Sequence, residues 1–191
     1  RDAKMPWQVD GRKWHLEDHL AHNGRPARWE AAILERLIDA IEQHDSYPPA
    51  NWGERSVVEV AAPPGAPGWF LHALTGDEWL LTLKFRIPTN HFRELELRER
   101  LGLTEVDDLD DLPIYGRQPR VRVKKSPPYG QEVTITLLTL DEFHSPAFQE
   151  FLAEAIAAGA PTESVAAIDP ADMMPWKKLG RKWHTMRKGF L

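Results

Sequence analysis

Cysteine is absent from the 191 residues, which removes a disulfide framework, a thiol nucleophile and a thiolate metal site together. The absence fits a reducing compartment, and a cytoplasmic location is expected. The apolar runs are far shorter than the roughly 20 residues that cross a bilayer, and no charged-then-apolar stretch opens the chain, so neither a membrane span nor a secretion signal is expected. The G-x-x-x-x-G-K-[ST], G-x-G-x-x-G and G-x-S-x-G patterns are missing as well, and with them the common phosphate-cradling and hydrolase machinery. No catalytic residue and no cofactor are nominated. Acid is missing locally: Lys177, Lys178, Arg181, Lys182, Arg187 and Lys188 crowd the stretch from Trp176 to Leu191 without one Asp or Glu, although the whole chain carries a net charge of −5. For a partner surface such unevenness matters more than the sum.

What is present is enough for a buried core, with 42% hydrophobic residues, eight Trp and seven Phe. The most distinctive feature is a repeat. Met5-Pro6-Trp7-Gln8-Val9-Asp10-Gly11-Arg12-Lys13-Trp14-His15 returns as Met174-Pro175-Trp176-Lys177-Lys178-Leu179-Gly180-Arg181-Lys182-Trp183-His184. The chain opens on Arg1 rather than Met, and a segment of a longer polypeptide is expected. In domain terms, 1–159 reads as one unit with a Trp-rich start, 160–173 as a linker, and 174–191 as the start of a second copy.

Between the copies the periodicities alternate. A helix is expected with Pro26 in its first turn and Trp29, Ile33, Leu34, Leu37, Ile38 and Ile41 at helical spacing. Ser56 to Val60 is a β-branched run, and Trp69–Leu74 with Trp79–Ile87 read as a hairpin around Thr75-Gly76-Asp77. Pro88 stops that strand, and Thr89 or Asn90 can cap a helix carrying Phe92, Leu95 and Leu101, closed by Gly102. After the acidic 105–111 loop come strands at 120–124 and 133–140. Ser145-Pro146 then opens a helix with Phe148, Phe151, Leu152, Ala155 and Ile156 on one stripe. Helix, three strands, helix, two strands, helix is not a parallel alternation. It predicts an α+β fold, an antiparallel sheet of about five strands with helices packed on one face.

Two groups of residues suit a polyanion. In the repeat, Arg12 and Lys13 (Arg181 and Lys182 in the second copy) stand beside aromatic faces. Trp7, Trp14, Trp176 and Trp183 suit either a partner interface or the docking of the segment onto its own domain. On the sheet, Arg120, Arg122 and Lys124 alternate onto one face. With Lys84 and Arg86 they make a five-cation ladder fit for phosphates, unless Glu59, Glu78 and Glu132 neutralise it. His15, His19 and His22 do not match H-E-x-x-H, and no metal site is assigned.

Pro6-Trp7-Gln8-Val9-Asp10-Gly11-Arg12-Lys13-Trp14-His15, Gly68-Trp69-Phe70-Leu71-His72 and Leu83-Lys84-Phe85-Arg86 resemble a C-terminal extension carried by some of the damage-sensing ATPases of nucleotide excision repair, the excinuclease ABC component of type A. The resemblance covers most of the chain. It does not extend to the ATPase core, whose Walker A loop, signature motif and zinc-binding cysteines are absent from this sequence. What it implies is a non-catalytic accessory domain that contacts DNA, other repair subunits or the remainder of its own parent chain. The competing expectation is a protein-interaction or structural module that binds no nucleic acid.

Overall fold

The computed structural model describes residues 2–109, 112 and 118–160. The N-terminal segment is a chain of short turns: α1 (Pro6–Val9), α2 (Gly11–Lys13) and a π-helical turn, Trp14–Asp18. Pro6 suits the first helical position, and the Asp10 carboxylate accepts the Lys13 N–H at 3.0 Å. His19, left-handed at φ 48°, ends the run. Pro26 was expected inside the next helix but bridges to Leu20 instead, and α3 spans Ala31–Glu42. The delay has a cause: Arg28 and Glu30 donate their N–H groups to the carbonyls of Glu78 and Leu138, and the Trp29 indole donates to Asp77 O at 3.0 Å. Those bonds keep 28–30 extended beside the sheet. Once free, α3 buries Ile33, Leu34, Leu37, Ile38 and Ile41 completely, each worth about 1.5–3 kcal/mol of transfer free energy.

The sheet holds five strands, β1 (Val57–Ala61), β2 (Trp69–Leu74), β3 (Leu81–Ile87), β4 (Val121–Lys125) and β5 (Gln131–Leu137), in the order β1-β2-β3-β5-β4. All neighbours are antiparallel. Alternation sends Val58, Val60, Leu71, Ala73, Leu81, Leu83, Phe85, Val121, Val133, Ile135 and Leu137 into the core. The β1–β2 register runs from Val60↔Leu71 to Ala61↔Trp69, so Phe70 is the extra residue of a bulge. The bulge turns Phe70 inward with Leu71, against Tyr47 and Phe85, and sends Trp69 to the opposite face.

The α+β expectation holds. Helices α3, α4 (Glu94–Leu101), α5 (Leu140–His144) and α6 (Pro146–Gly159) contribute buried residues to the core. Three boundaries differ from the sequence reading. Trp79 lies outside its strand, because the Asp77 carboxylate accepts the N–H groups of Trp79 and Leu80 and closes a turn there. α4 starts only after Phe92, and Leu95 is 71% exposed while Leu97 and Leu101 are buried. The expected end of the last strand, at Leu140, is already α5, opened by Thr139 and Glu142 in a reciprocal capping box. Ser145 caps α6 as expected, accepting from Phe148 N at 3.2 Å. No helix among the described residues is long and apolar enough to cross a membrane.

Candidate functional site

The face of the sheet turned away from the core carries polar residues of β3, β4 and β5, with Glu59 of β1 and His72 of β2. Across β2, β3, β5 and β4 the register aligns His72, Lys84, Thr134 and Arg122 in one row. Arg86, Glu132 and Lys124 form the next. Lys84, Arg86, Arg122 and Lys124 are thus brought together as expected. Neighbouring cations on a strand are about 7 Å apart, and β3 and β4 flank β5 at roughly 5 Å each. Glu132 lies between Lys84 and Lys124, with N–O distances of 3.8 and 3.6 Å, and its side chain is only 10% exposed. Arg122 donates to the Gln118 side chain.

Arg86 behaves differently. It stands opposite Glu132 in the register, yet its guanidinium lies 4.2 Å from the ring centre of Trp69 and 4.5 Å from that of Tyr129. Among the described residues no carboxylate is within ion-pair distance of it, and its buried Nε has no hydrogen-bond partner. Trp69 in turn stacks on His72 at 3.8 Å, and the imidazole Nε2 meets the Glu59 carboxylate at 2.5 Å. The result is a continuous column of carboxylate, imidazole, indole, guanidinium and phenol. Two cavities of about 240 and 270 Å³ adjoin over the face, with Thr82, Gln118, Arg122 and Thr134 lining both. Cations and threonine hydroxyls around open volume provide hydrogen-bond donors and positive charge, the chemistry that holds an anion.

Arg120 does not join this set. Its side chain is 2% exposed, paired at 2.6 Å with Glu142, and it also donates to the carbonyls of Thr104 and Thr136. Burial pushes the Glu142 carboxyl up, but hydrogen bonds and charge from Arg120, with the N–H groups of Leu138 and Thr139, outweigh burial and hold it below its ordinary value. The expected five-cation ladder therefore has four members on the open face, because the first sits at the strand end, where α5 supplies a carboxylate.

Arg12 and Lys13 are also apart from the sheet face. Arg12 lies 5.0 Å over the Trp52 ring and 3.7 and 3.8 Å from Glu35 and Asp39 of α3, and Lys13 is exposed. Trp7 and Trp14 pack on each other at 5.3 Å, and the Trp14 indole donates to Arg55 O, so both serve the docking of the N-terminal segment. Arg181, Lys182, Trp176 and Trp183 lie outside the described residues. The three early histidines take separate partners: His15 Thr75 and Glu54 O, His19 Trp29 O, His22 Ser56.

Sequence reasoning missed Trp69, His72 and Tyr129 as part of the face. A bulge turns Trp69 onto it, and the turn before Gly130 (φ 91°) brings Tyr129 to Arg86. Only Gly fits that turn, since a Cβ there would sit 2.3 Å from Ile87 O. Neither feature has a periodic signature. No family model, curated protein or solved structure matches the chain.

Proposed function

We propose that residues 2–160 form a non-catalytic accessory domain that holds DNA phosphates on its open sheet face, as part of a cytoplasmic DNA-repair ATPase. The observation that carries the reading is four cations on two strands around a single strand of threonines, with Glu132 as the one carboxylate paired among them within the described residues. Arg86 supports it further, held among the described residues by rings rather than by an acid. The repair context rests on the resemblance of the Trp-rich phrases. Phosphate contacts position a backbone without reading bases, so little sequence preference is expected.

Titration of labelled single- and double-stranded DNA at two salt concentrations tests this. Affinity should fall steeply with salt, and a Lys84→Ala, Arg122→Ala variant should flatten the log–log slope by about 0.7–0.9 per lost phosphate contact. Absence of binding at low salt overturns the proposal.

A further inference from the structure

The repeat and the docking of its first copy fit together residue by residue. Gly11 presses so closely on the 52–55 loop that a Cβ would lie 2.0 Å from Trp52 O. Arg12 covers the Trp52 ring, Trp14 donates to Arg55 O at 2.9 Å, and buried His15 bonds Thr75 Oγ1 at 2.8 Å and Glu54 O at 2.7 Å. Trp7 lies against Trp14 and under Arg55. Every one of these side-chain types recurs, as Trp176, Gly180, Arg181, Trp183 and His184. The three positions that change, Gln8, Val9 and Asp10, are exposed, and the side-chain bonds of Gln8 and Asp10 stay inside the segment. The likeness stops at His184: Leu16, packed on the core, and His19, bonded to Trp29 O, correspond to Thr185 and Lys188. What recurs in the sequence is the set of side chains with which the first copy contacts its acceptor.

We propose that Met174–His184 is a second docking segment for that acceptor, taken up by Trp52, Glu54, Arg55 and Thr75 of another copy of the chain whose own N-terminal segment has been displaced. Each chain then carries two segments for one acceptor, the condition for exchange between copies. Leu179 replaces the capping Asp10, so the second segment binds more weakly and the first holds the acceptor at rest.

The test uses the full chain with Gly11→Ala, which expels the resident segment, and Gly180→Ala, which silences its own second copy. A fluorescent peptide of Met174–Leu191 should bind it saturably, about tenfold more tightly than Trp183→Ala or Gly180→Ala peptides of almost the same charge. It should bind the unaltered chain about tenfold more weakly than the open variant, because that acceptor is occupied. Equal binding of native and altered peptides, or equal binding to both chains, overturns the proposal. If circular dichroism shows that Gly11→Ala unfolds the chain, a Trp14→Ala, Trp183→Ala chain serves as the open acceptor and is read in the same way.

Discussion

Single atoms decide several features of this domain. Gly159 closes α6, where Ala would be preferred by about 1 kcal/mol on propensity alone. A Cβ there would meet the Tyr47 hydroxyl at 2.4 Å and the Phe70 ring at 2.8 Å. That hydroxyl is itself bound to Ile156 O at 2.6 Å, with burial pushing its pKa up, so it cannot retreat without losing its partner. Gly159→Ala should therefore destabilise by about 1–3 kcal/mol, the cost of overpacking, measurable as a lower urea midpoint. His15 sets a second expectation. Burial lowers its pKa, against smaller upward effects of hydrogen bonds with Glu54 and Trp52. Because Glu54 O only accepts, Nε2 carries the proton and Nδ1 accepts from Thr75. A group whose folded pKa is depressed in this way binds fewer protons folded than unfolded. Stability should thus fall as pH drops below about 6.5 through the folded value. The melting temperature between pH 7.5 and 5.5 checks it, and His15→Gln should remove that part of the dependence.

At the level of elements, the Arg120–Glu142 pair ties the start of β4 to α5 and to the loop at Thr104. Removing one partner leaves the other partly buried and uncompensated. Arg120→Met should cost about 3 kcal/mol, the low end for buried pairs, because Glu142 keeps 18% of its side-chain exposure. The loss, measured by urea denaturation, should shrink as pH falls from 4.5 through the depressed carboxyl value, where protonation ends the pair in the native chain too. The same pair shows why an alternating Arg-x-Arg-x-Lys run was only partly legible. Alternation places Arg122 and Lys124 correctly, but Arg120 precedes the strand and α5 recruits it. Likewise Ser145-Pro146 announced α6, whereas the short α5 was hidden behind apolar residues that continue the pattern of β5.

Across the whole molecule, charge distribution outweighs net charge. A chain at −5 should bind heparin at low salt through the open face, and Lys84→Glu with Arg122→Glu should move its elution to lower salt without changing the melting temperature by more than a few degrees. The α+β class, the α3 and α6 core stripes, the inward alternation of β3 and β5, and the presence of a repeated segment were all legible in the chain before folding, because each rests on a local period or a covalently fixed backbone preference. Folding settled the rest: which cations share a face and which is spent on Glu142, that Trp69 and Tyr129 clasp Arg86, and that the first copy of the repeat is a docking segment. Those outcomes depend on the strand order β1-β2-β3-β5-β4, on one bulge and on contacts between residues some 40 to 60 positions apart, and local periodicity carries no record of long-range pairing.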